Sequence, residues 1–126
     1  MPKVPTRSAC VIAGATPAEV RAIAAGEHVT IGENRLGTLV TGTIDGSVID
    51  YAAELPGPVY DVMFNPGTGW FAVTIYTGEN QPRRWDNRPD EEAGYPRVPD
   101  VLGATSPSAI LEALDIPADA VGYLPS

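Results

Sequence analysis

Apolar and polar positions along the chain change period several times, and each change predicts an element. Ala9-Cys-Val-Ile-Ala13 is a short continuous apolar run closed by Gly14, the pattern of a buried strand. Thr16-Pro17-Ala18-Glu19 follows. It places Thr at a helix N-cap, Pro at the first helical position and Glu three residues after the cap, where its carboxylate reaches back to the cap N–H. Val20, Ile23 and Ala24 fall on one face of this helix and Gly26 supplies its stop. So short a helix has to dock on a sheet to be stable. His28-Val-Thr-Ile31 alternates as a half-buried strand does.

Two hairpins are predicted next. Thr38 to Ile44 is rich in β-branched residues, and Asp45-Gly46 separates it from Ser47-Val-Ile-Asp-Tyr51, the spacing of a two-residue type I′ turn. Val59 to Phe64 and Trp70 to Thr77 form the arms of the second, joined by Asn65-Pro66-Gly67-Thr68-Gly69, with Pro66 and Gly67 suited to the centre of a type II turn. Tyr60, Val62 and Phe64 share one face of that hairpin with Phe71, Val73 and Ile75, and these six are the predicted core.

Residues 78–105 contain Pro82, Pro89, Pro96 and Pro99, which removes any regular central strand or helix and leaves a long irregular loop. Trp85, Tyr95, Val98, Val101 and Leu102 give it side chains with which to pin itself to the domain. Ser106-Pro107 repeats the cap-then-proline start, and Ile110, Leu111 and Leu114 supply the stripe of a second short helix ended by Pro117. One more turn over 117–120 is closed by Gly122, followed by a tail from Tyr123. The expectation is a single α+β domain over 1–126: one mostly antiparallel, five- to six-stranded meander with two short helices on one face. A small β half-barrel is the alternative.

Composition narrows the class. With 126 residues, 44% hydrophobic and 19% charged, the chain is globular and of single-domain size. No stretch approaches the length of a membrane span, and Met1-Pro-Lys-Val-Pro lacks the apolar run of a secretory signal, so a cytoplasmic protein is expected. The formal charge is −8, from 16 acidic and 8 basic residues, which argues against nucleic acid and against anionic membranes as partners. All basic residues but Lys3 are arginine, a bias associated with GC-rich bacterial or phage genomes.

Catalytic signatures are missing from the pattern. The chain has one His, His28, whose parity turns it away from Val29 and Ile31, and one Cys, Cys10, inside an apolar run. The first reads as an exposed side chain and the second as a small buried thiol. One His and one Cys offer no zinc spacing. Gly32-Glu-Asn-Arg-Leu-Gly37 and Gly67-Thr-Gly69 match neither dinucleotide nor P-loop spacing. Asp86-x-Arg88-x-Asp90 fails as a calcium loop because Arg88 takes a ligand position and Glu91 the obligatory glycine. No metal and no cofactor is expected.

The densest polar cluster, Arg83-Arg84-Trp85-Asp86-Asn87-Arg88, is rich in the residue types of interface hot spots. Arg83, Arg84, Trp85 and Arg88, together with Trp70 beside the second hairpin turn, are the candidate binding residues. The competing reading makes Trp85 an internal anchor of the loop, with the arginines paired to Asp90, Glu91 and Glu92. Function is then expected to be that of a non-enzymatic acidic binding module, an inhibitor or immunity-type protein masking a basic protein surface on a toxin or defence factor. A small ligand-binding domain or enzyme is the alternative, with a pocket between sheet and loop lined by His28, Tyr60, Asp61, Tyr76 or Trp85. A virion or other assembly component, with the long loop and the Tyr123 tail as arms between subunits, is the second alternative, and a homo-oligomer is compatible with any of the three.

Overall fold

A computed structural model describes residues 7–23, 29–42, 53–55, 57–77, 81–87 and 96–123. The strands are β1 (Arg7–Ala13), β2 (Val29–Asn34), β3 (Gly37–Gly42), β4 (Val59–Asn65), β5 (Trp70–Tyr76) and β6 (Arg83–Asp86), and the helices are α1 (Pro17–Ile23) and α2 (Pro107–Ala113). The strands form one open antiparallel sheet in the order β2-β3-β1-β4-β5-β6. The fold is α+β, and its edge strands β2 and β6 do not meet to close a barrel. The apolar run that begins the sheet lies at its centre, between a β2–β3 hairpin and a β4–β5–β6 meander. That position explains a strand with no polar alternation, because Ala9, Cys10, Val11 and Ile12 are all fully buried and serve both faces.

The helices cover opposite faces, which corrects the expectation of one. Val20 of α1 packs with Cys10, Ile12, Val40 and Val59. Ile110 and Leu111 of α2 and the following Leu114 pack with Val11, Tyr60, Val62, Phe71 and Val73 on the other side. The signal for α1 is borne out atom by atom: the Thr16 N–H donates to Glu19 Oε1 at 3.0 Å and the Glu19 N–H to Thr16 Oγ1 at 3.2 Å. At α2 the Ser106 hydroxyl accepts from the Ala109 N–H at 3.3 Å. Five of the six predicted core residues are buried and Ile75 is half-buried against them.

Three local readings change. The turn and second arm of the predicted 38–51 hairpin lie outside the described residues, but both edges of Gly37–Gly42 are taken, one by β2 and one by β1. The partner of this segment is therefore Val29–Asn34, through a tight turn at Arg35-Leu36. Gly37 is required there, since a Cβ would run into the Ile12 carbonyl of β1. In the second hairpin the positive φ falls at Gly69 (77°) and not at Gly67, so the turn is not type II. The Asn65 side chain accepts from the Gly67 N–H at 2.9 Å and the Thr68 N–H at 3.3 Å. This winds the turn helically and leaves Gly69 to reverse the chain.

The third change is β6, inside the stretch read as irregular. Its four residues start directly after Pro82 and pair with β5. The outer edge of β6 is met by 96–98, where the Arg84 N–H donates to the Pro96 carbonyl at 2.9 Å and the Val98 N–H to the Arg84 carbonyl at 3.0 Å. Pro96 supplies only a carbonyl to this bridge, so its missing N–H costs nothing there.

Candidate functional site

Period-two geometry divides the Arg/Trp cluster that the sequence presents as one patch. Trp85 lies on the α2 face, 9% exposed, with its ring edge-on to Phe71 at 6.2 Å. It is the anchor of its segment. Arg84 lies on the opposite face, where its guanidinium carbon sits 5.7 Å from the Trp70 ring centroid and its Nε donates to Thr74 Oγ1 at 3.0 Å. Trp70 and Arg84 are both half-buried. Arg83 is exposed, and Arg88 lies outside the described residues. Of the five candidates, the fold brings together Trp70 and Arg84.

These two belong to a larger arrangement. Ile31, Val40, Cys10, Asp61, Thr74 and Arg84 are successive cross-strand partners from one edge of the sheet to the other, so one row passes from apolar to polar across the α1 face. Asp61 is its strained member. Its Oδ1 is buried with no hydrogen-bond partner among the described residues. Burial raises its pKa to about 6, against a smaller opposing pull from Arg84. Burial also pushes the Cys10 thiol far up, with the Asp61 charge adding to the rise, so this cysteine is a packed apolar group and not a nucleophile. On the neighbouring row Asp86, almost fully buried, holds Arg97 at 3.0 Å.

The pocket set suggested by the sequence is not assembled. Tyr60 and Trp85 face α2, Asp61 and Tyr76 lie on the other side of the sheet, and His28 is outside the described residues. Tyr123 is no arm either: its ring packs edge-on against Phe64 at 5.2 Å and Phe71 at 5.8 Å within the chain's own core.

A contact that sequence reasoning missed joins the β2–β3 turn to the end of α2. Asn34 Nδ2 donates to the Leu114 carbonyl at 2.9 Å and the Asp115 carbonyl at 3.0 Å. Arg35 Nη2 donates to the Glu112 carbonyl at 2.9 Å and the Ala113 carbonyl at 3.0 Å, and the Arg35 N–H donates to Asp115 Oδ2 at 3.1 Å. The β2–β3 turn thus caps the C-terminus of α2 with a cation and an amide. Glu112 and Asp115, at the helix end that this turn caps, are exposed, as is Glu33 just before the turn. The Asn34-to-Gly37 spacing could have been read as a hairpin turn, but nothing local in the sequence points from it to residue 114.

Among the described residues no group of three or more His, Cys, Asp and Glu gathers as a metal site would, and no helix is long and apolar enough to cross a membrane. No family model, curated protein or solved structure matches the chain.

Proposed function

We propose that this chain is a non-enzymatic acidic binding module of the inhibitor or immunity type, which masks a basic surface on a cytoplasmic protein such as a toxin or defence factor. The observation that carries the reading is the unequal use of the two signs of charge. Arg35 is spent on the α2 carbonyls, Arg84 on Thr74 and Trp70, and Arg97 on Asp86, which leaves Arg21 and Arg83, among the described residues, as exposed arginines with no such contact. Glu19, Glu33, Glu54, Asp100, Glu112, Asp115 and Asp119 instead face solvent. The seven exposed carboxylates outnumber these arginines, so the field felt by a partner is mainly theirs and steers a basic surface toward the molecule. Trp70 under Arg84, half-buried, is of the residue types that become hot spots when a partner completes their burial.

The test is affinity capture from the source cell on the wild-type chain and on Glu33→Lys/Glu112→Lys/Asp119→Lys. The expected result is a basic protein retained at low salt, eluted by high salt and lost from the charge-reversed variant. A partner retained equally by both chains, or one of acidic character, would overturn the reading.

A further inference from the structure

At the loop end of β5 and β6 the surface sinks into a depression of about 500 Å³ lined by Thr77, Gln81, Arg83, Pro96 and Arg97. That volume lies within the range of small-molecule sites. Among the described residues the lining offers a hydroxyl, an amide, two guanidinium side chains and one proline ring, and its charged members are both arginines, in a chain where acids outnumber bases two to one. We propose that this depression binds a small oxyanion, a carboxylate or phosphoryl group whose organic portion rests on Pro96.

Arg83 is the recognition residue. It is exposed, and its guanidinium has no hydrogen-bond or ion-pair partner among the described residues. A guanidinium carries five N–H donors and no acceptor, in a planar fork that matches two oxygens of a carboxylate or phosphate. The other arginine in this region is placed by the protein itself: Arg97 is held by the buried Asp86 at 3.0 Å. The two arginines are fixed relative to each other, because Arg83 pairs with Ile75 in the β5–β6 ladder and the next residue, Arg84, bridges to Arg97. The backbone that carries the two arginines is therefore already set by the sheet, which lowers the entropic cost of capturing a small ligand. This local cationic pocket is independent of the acidic surface invoked for partner binding, and either can fail without the other.

The experiment is an amide and arginine side-chain NMR titration of the full chain with inorganic phosphate and, separately, with citrate, each against sodium chloride at matched ionic strength. Saturable shifts at Thr77, Gln81, Arg83 and Arg97, with a Kd of about 1 mM or tighter, are expected for at least one of the two anions. The tighter binder distinguishes a phosphoryl from a carboxylate ligand. Arg83→Gln, an exposed change that leaves the melting temperature in place, should weaken that binding about tenfold or more. The proposal is overturned if neither anion saturates these signals, if the shifts centre on Arg21 and Arg35 instead, or if Arg83→Gln binds as the wild type does.

Discussion

Asn34 donates its Nδ2 to the carbonyl of Leu114 at 2.9 Å across 80 positions of sequence. With Arg35 beside it, this one side chain ties the outer hairpin of the sheet to the helix packed on the opposite end of the chain. It satisfies carbonyls that the last turn of α2 would otherwise leave to solvent. The same contact joins the turn that follows Glu33 to the end of α2, where Glu112 and Asp115 are exposed.

Removing that tie should be measurable. Asn34→Ala deletes three hydrogen bonds, two to the end of α2 and one from the Leu36 N–H, and is expected to lower stability by about 1–3 kcal/mol, read as a lower denaturant midpoint at unchanged slope. An unchanged midpoint would mean that the β2–β3 turn rests on α2 without supporting it.

Phe71 is fully buried and touches the rings of Phe64, Trp85 and Tyr123. Phe71→Ala should cost about 3–5 kcal/mol, as aromatic truncations in packed cores do. A loss below about 1 kcal/mol would place the residue outside the core that the register requires.

The two tryptophans should behave differently. Trp85→Ala opens a cavity on the α2 face and is expected to lower the Tm by more than about 10 °C. Trp70→Ala removes a half-exposed ring and its cation–π contact, with a loss of about 1 kcal/mol. Equal effects would contradict the division of these residues between the two faces of the sheet.

Most of this architecture was legible wherever a signal was local. The Thr16–Glu19 capping box, the Ser106-Pro107 start and the shared face of Tyr60, Val62, Phe71 and Val73 each rest on residues a few positions apart or on strict alternation, and each is present in the fold. The failures are long-range. Nothing in Arg7–Ala13 says that it inserts between β3 and β4, and that insertion removes the edge on which the predicted 38–51 hairpin depended. The prolines around Arg83–Asp86 obscured an edge strand that needs only four residues and tolerates Pro82 before it. The site suffered in the same way, since Arg84 and Trp85 are neighbours in sequence and lie on opposite sides of the sheet.

Asp61 makes stability depend on pH in a definite direction. Its pKa is raised from 3.8 unfolded to about 6 folded, so between these values the folded state holds the proton and the unfolded state does not. Its contribution is therefore favourable below about pH 4, declines as pH rises to about 6, and is flat above that. Asp61→Asn has no charge to bury, so it should gain on the wild type steadily from pH 4 to pH 6.5 in denaturant midpoint. A difference between the two that does not vary with pH would contradict the burial of this carboxylate.

If the outward carboxylates recruit a basic partner, the association rate of that partner depends steeply on ionic strength. Between 0.1 and 1 M salt the screening length falls from about 10 Å to about 3 Å. The rate for the wild-type chain should fall by about tenfold or more over that range, with the off-rate changing far less. Glu33→Lys/Glu112→Lys/Asp119→Lys should start slow and show little dependence on salt. An association rate that is flat with salt, or identical for the two chains, would contradict the account.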